Sequence, residues 1–183
     1  MNMKISAVED PGVRRLYLSI AIISAIFISV TSLYGLIEAV RGYLTDSVIT
    51  VGENLVDIEW PLPYFAKPVT YLSFSLVAFW YSITHLYHKK FVDISQLKRS
   101  FLIFFSLIVA FGSGYEVLYN FTVWGALMSA EAFSGILNPD FLNIAYPNPK
   151  TPWNLVFATK LFIALFVISL HSLYILKTNE PKK

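Results

Sequence analysis

The hydrophobic positions of this chain fall into four long runs, Leu16–Val40, Pro68–Tyr87, Phe101–Met128 and Trp153–Ile175. Each reaches the ~20 residues with which a helix crosses ~30 Å of hydrocarbon. Strands of a membrane barrel need only ~9–11 residues and an alternating pattern, which these runs lack. The pattern therefore predicts an all-α polytopic membrane protein: a single membrane domain over 1–183 with four transmembrane helices gathered into a four-helix bundle. Lys4, Arg14 and Arg15 precede the first run, as in a secretory signal. The run exceeds the ~7–15 residues of a signal core and reads as a retained span.

The polar segments between the runs sort by charge. The connection 41–67 carries Asp46, Glu53, Asp57 and Glu59, and the connection 129–152 carries Glu131 and Asp140 with a single lysine. The short middle connection holds Lys89, Lys90, Lys98 and Arg99 against Asp93. Basic residues also fill the two tails, with Lys4, Arg14 and Arg15 at one end and Lys177, Lys182 and Lys183 at the other. Basic flanks stay cytoplasmic, so both termini and the middle connection are expected inside the cell and the two longer connections outside. An even number of spans demands the same. Trp60, Tyr64 and Trp153 then lie at outer span ends, and Tyr17, Tyr87 and Tyr174 at inner ones, the level that amphipathic rings favour. Within the first outer connection, Val48–Val51 and Leu55–Glu59 around Gly52-Glu53-Asn54 predict a short β-hairpin. Thr151-Pro152 supplies an N-cap and first helical position for the last span.

Composition narrows the reading further. The chain is 56% hydrophobic and 14% charged, well under the ~25% charge of soluble domains. A net charge of +2 is too small an excess to point to nucleic acid, and the basic tails serve as topology signals. The absence of cysteine excludes disulfides, thiolate metal sites and cysteine nucleophiles. The expected location is the cell membrane, with the bilayer and other membrane proteins as partners.

Helical phase gives each span one less greasy side, the side that faces neighbouring helices in lipid. The stripes are Ala21, Ala25, Ser32, Gly35 and Ala39; Ser75, Ala78, Ser82 and His85; Gly112, Ser113, Glu116 and Asn120; and Lys160, Ala164, Val167 and His171. Two constellations emerge. Glu116 and Lys160 both fall in the outer half of the membrane and form a candidate intramembrane charge pair, either structural or part of a proton or ion pathway. His85 and His171 fall at similar depth near the inner boundary, on different helices. Opposed imidazoles of this kind are candidate axial ligands of a haem b, an arrangement similar to that of four-helix b-type cytochromes, although the likeness covers two residues and no surrounding motif. His88, one turn from His85, makes a metal site of His85, His88 and His171 the variant reading, since imidazole suits zinc, copper, iron and nickel.

No phosphate-binding glycine loop, H-E-x-x-H or G-x-S-x-G is present, and Ser113 beside Glu116 is the single intramembrane nucleophile–base candidate. Without a convergent catalytic set, the sequence leans away from an enzyme. The leading expectation is a non-catalytic accessory or structural subunit of a larger membrane complex of respiratory, oxidase or monooxygenase type. A bis-histidine b-type haem electron carrier and a small proton- or ion-coupled transporter or channel stand as alternatives.

Overall fold

The computed structural model describes residues 10–45, 51–58, 60, 66–134 and 155–178. They form six helices: α1 (Pro11–Leu44), α2 (Val51–Asp57), α3 (Pro68–Leu86), α4 (His88–Val92), α5 (Gln96–Ser134) and α6 (Leu155–Thr178). α1, α5 and α6 are long and apolar enough to cross a membrane, which marks the chain as a multi-pass membrane protein. α1 opens on a cap in which the Asp10 carboxylate accepts from the Gly12 N–H at 2.9 Å, with Pro11 in the first helical position where its missing N–H costs nothing. α3 likewise starts on a proline, Pro68, and has no side-chain cap. The Thr151-Pro152 start expected for the last helix lies outside the described residues.

Two expectations are corrected. In place of a hairpin in the first connection, residues 51–57 form α2; the upstream half, 46–50, lies outside the described residues. The neighbouring Leu55 and Val56 are both buried together with Gly52, and a helix puts all three on one side, whereas a strand would send Leu55 and Val56 to opposite faces. The second correction concerns the bundle. Among the described helices, α1 packs on α3, α3 on α6 and α6 on α5, and neither α1 nor α3 touches α5. The four long helices form an open row, α1–α3–α6–α5, in place of a closed four-helix bundle. α5 also outruns its expected span at both ends, beginning at Gln96 and continuing to Ser134. Its 39 residues measure ~58 Å at ~1.5 Å each, well beyond the hydrocarbon.

Side-chain contacts set the directions of the row. Tyr17 meets His85, and Phe27 meets Tyr71, so α1 and α3 are antiparallel. Lys160 meets Thr70 and His171 meets Tyr81, so α3 and α6 are parallel. Asn120 faces Leu155, whereas Leu102 lies near Ile175, so α5 and α6 are antiparallel. The best-packed core sits at the Thr70 end. There α2 wedges against α1, α3 and α6, and Leu55 and Val56 bury themselves with Val69, Leu72 and Phe157. Toward the other end, the separation of α3 from α5 leaves an apolar cleft of about 240 Å³ over α6, lined by Trp80, Phe91, Leu102, Phe105, Val109 and Ile168 among others.

Many hydroxyl groups within these helices are turned back on their own backbone, while the buried Ser82 Oγ has no partner among the described residues. Thr31 donates to Phe27 O at 2.7 Å, Ser113 to Val109 O at 2.6 Å, Ser169 to Leu165 O at 2.7 Å and Ser172 to Ile168 O at 2.7 Å. In lipid there is no water to take these protons, so internal satisfaction is what admits a serine to an apolar helix. The expected small-residue stripes are partly realised. Ala21 and Gly35 of α1, Ser82 of α3, Ser113 and Asn120 of α5 and Ala164 of α6 are buried, while Gly112 and Val167 are exposed.

Two glycines of α5 should respond in opposite ways. A Cβ on Gly114 would stand 3.1 Å from the Phe166 ring of α6, whereas one on Gly112 would meet nothing within 4 Å. Gly114→Val is expected to pry α5 from α6 and lower the thermal unfolding midpoint in detergent. Gly112→Ala should hold or raise that midpoint, by up to about 1 kcal/mol of helix propensity.

Candidate functional site

The densest group of functional side chains lies where the start of α1 meets the ends of α3 and α6. Tyr81 and His85 stand four residues apart and so share a face of α3. α6 runs beside α3 at a constant 90-residue offset, the same at Lys160–Thr70 as at His171–Tyr81, which brings His171 to that face. The second turn of α1 adds Tyr17. Its ring stacks on His85 with centroids 4.9 Å apart and planes within 4°. Tyr81 lies against both imidazoles, 4.4 Å from His85 and 5.0 Å from His171. The imidazoles themselves are 6.2 Å apart, with planes inclined by 29°. Both histidines are half-buried, and His171 Nδ1 is buried without a hydrogen-bond partner among the described residues.

The sequence-derived histidine pair is thus brought together from two helices. Its geometry has a consequence for haem. Tyr81 is closer to each imidazole than they are to each other, so its ring lies beside the mid-point between them. A porphyrin held by both imidazoles would need that volume, and α3 would have to draw back from α6 to provide it. His88 does not join the pair. It opens α4, is buried with Nδ1 unpartnered among the described residues, and no three of His, Asp or Glu converge on a metal position there.

The second constellation is rearranged. Among the described residues no ion pair joins Glu116 to Lys160; the ion pair present is Arg41–Glu38 at 3.8 Å on α1. Lys160 instead donates from Nζ to Thr70 Oγ1 at 2.6 Å, across to the first turn of α3. Its flexible stem carries the ammonium across from α6 to the first turn of α3. The stem also lines a groove of about 230 Å³ between α5 and α6 with Asn120, Phe121, Trp124, Thr159 and Ile163. Ser113, three residues before Glu116, sends its proton to Val109 O at 2.6 Å and to Ala110 O at 3.3 Å, which leaves no hydrogen bond from it toward a base.

Sequence reasoning passed over three participants. Tyr81 had a signal, its i, i+4 relation to His85. Tyr17 stood as an interface anchor, and its stacking on His85 required knowing that α1 and α3 are antiparallel neighbours. Thr70 had no signal beyond being one polar residue in an apolar run. Compared with known proteins, the chain matches no family model, no curated protein and no solved structure.

The Lys160–Thr70 bond can be weighed by a double-mutant cycle. Thr70→Val alone strips the ammonium of its acceptor and is expected to cost about 1–3 kcal/mol, whereas Thr70→Val with Lys160→Met should recover most of the loss. With Lys160→Met measured alone as well, a double-variant loss equal to the sum of the two single losses, read from unfolding in detergent, would mean that the bond contributes nothing.

Proposed function

We propose that the chain is a non-catalytic membrane subunit that packs side-on against another membrane protein through α5. The observation that carries this reading is a seam on α5. Phe101, Phe104, Ile108, Phe111, Tyr115, Leu118, Thr122, Gly125 and Ser129 follow one another at alternating spacings of three and four, and every one is exposed in this chain. That is the repeat with which one helix seats knobs into another. Among the described helices α5 rests on α6 alone, so the seam has no occupant within the row. The far end is built for close approach. Thr122 and Ser129 turn their hydroxyls back to Leu118 O at 2.9 Å and Gly125 O at 2.8 Å, and Gly125 has open space beside it. Small, flush surfaces of this kind let helix backbones come close in lipid.

The proposal includes four crossings with both termini cytoplasmic, in the cell membrane. Helix directions support it. α1 is antiparallel to α3, α3 parallel to α6 and α6 antiparallel to α5, so α1 and α5 point the same way. A chain that crosses at α1 can begin α5 from the original side only after returning, and α3 is the described helix available for the return. Its 19 residues span ~28 Å, close to the ~30 Å of hydrocarbon. Its serines, threonines, tyrosines and histidine leave it without as long an apolar stretch as the other three, and it is the helix flanked by α1 on one side and α6 on the other. The charge asymmetry of the connections assigns the His85 end to the cytoplasm. Haem-carrier and transporter readings draw less support, since Tyr81 crowds the histidine pair and the Lys160 ammonium is engaged by Thr70.

Gly125→Leu isolates the seam from the fold, because a side chain there meets nothing within 4 Å in its own chain. Extracted in mild detergent from its native membrane, the wild-type chain is expected to migrate within an assembly larger than itself. Gly125→Leu should release it with helical content kept and the thermal midpoint held or raised. A monodisperse wild-type monomer, or a variant that stays in the assembly, would refute the proposal.

A further inference from the structure

We infer that His85 and His171 form a two-coordinate site for a single cuprous ion, flanked by the Tyr81 ring. The separation is the first argument. A metal bound by two imidazoles stands ~2.0–2.1 Å from each ligating nitrogen. With the ring radius added on both sides, a near-linear N–metal–N arrangement sets the centroids roughly 6 Å apart, and they stand at 6.2 Å. The second is the buried Nδ1 of His171, a polar atom with no hydrogen-bond partner among the described residues in a place where water is scarce. The third is charge. No three of His, Asp or Glu gather among the described residues, so the site offers two neutral ligands and no anion to balance a metal. A divalent ion would bring two uncompensated charges into a low-dielectric region, and zinc would want four ligands. A monovalent d¹⁰ ion brings one charge and is content with two nitrogen ligands.

The neighbours fit that assignment. Tyr17, stacked on His85, holds that ring's plane. Tyr81, 4.4 Å and 5.0 Å from the two imidazoles, lies beside the position the ion would take, where an aromatic ring attracts a cation. The site stands on α1, α3 and α6 and does not involve the α5 seam, so it holds or fails independently of the partner proposal.

The test uses the tag-free full chain in detergent, titrated anaerobically with cuprous ion against a coloured cuprous chelator. One ion per chain is expected. His85→Ala and His171→Ala should each weaken binding by roughly 100-fold or more, exceeding the ~10–100-fold typical of losing an outer partner, while His88→Ala leaves it unchanged. X-ray absorption on the loaded wild-type protein, which needs no variant to fold, should show two imidazole nitrogens in the metal's shell. Stoichiometric binding that survives both alanine variants, a shell of three or four ligands, or tighter binding of zinc than of cuprous ion would each overturn the assignment.

Discussion

α3 and α6 lie side by side and run the same way, and the rest of the molecule is hung on that contact. At one end the Lys160 ammonium bonds the Thr70 hydroxyl, and at the other Tyr81 lies against His171, with the same residue offset throughout. α1 has its place because it packs on α3, and α5 because it packs on α6. α2 docks where both members of the pair, together with α1, present apolar side chains, with Val69, Leu72 and Phe157 around Leu55 and Val56. Parallel neighbours cannot be joined by a short turn, so the chain must travel out along α5 between them. The direction of α5, antiparallel to α3 and α6, follows from that requirement.

Lipid imposes a second condition on this framework: polar atoms that enter must bring their partners. Many hydroxyls comply locally, through bonds to carbonyls three or four residues back, and these carry little information about tertiary structure. Longer polar side chains comply by reaching across helices. Lys160 does so with Thr70. The histidines do so only in part, since their rings pack on tyrosine rings while His171 Nδ1 keeps no partner among the described residues. Ser82 Oγ and Trp80 Nε1 share that state among the described residues, and what sets the histidine group apart is the second imidazole 6.2 Å away.

The long apolar helices were legible in the sequence because run length and the scarcity of charge are decided residue by residue. The approach of His85 to His171 was also legible, because depth along a helix follows from counting 1.5 Å steps. What could not be read was lateral arrangement. A closed bundle and an open row need the same four amphipathic patterns, and only the contacts tell which faces are used. Gly112 and Val167 sat on stripes assigned inward and are exposed, whereas Gly114, off the stripe, carries the close approach to Phe166. The Glu116–Lys160 pairing failed for a related reason. Depth placed the two together, but a lysine stem spans several ångströms in any direction, and the nearer acceptor was a threonine on a third helix. In 51–57 the valine and leucine content suggested strands, and the chance to bury Gly52, Leu55 and Val56 on one face outweighed that preference.

The two edges of the row differ in kind, and the difference bears on what lies beside each. The exposed large residues of α1 are mostly leucine, isoleucine and valine, as at Leu18, Ile22, Ile26, Val30, Leu33 and Ile37, with the exposed serines Ser19, Ser29 and Ser32 among them. A surface of that sort is well suited to mobile acyl chains, which fill around branched side chains without needing a fixed counterpart. α5 instead presents aromatic rings, 79% exposed at Phe111, followed by a stretch of threonine, glycine and serine. Rings gain most from a rigid neighbour with matched shape, because their offset and edge contacts are directional. A bare glycine on a helix face gains nothing from lipid, yet it lets another backbone approach. If both edges met only acyl chains, nothing would favour aromatic residues on one and aliphatic residues on the other. The asymmetry is what the proposed side-on packing requires, with lipid beside α1 and a protein helix beside α5.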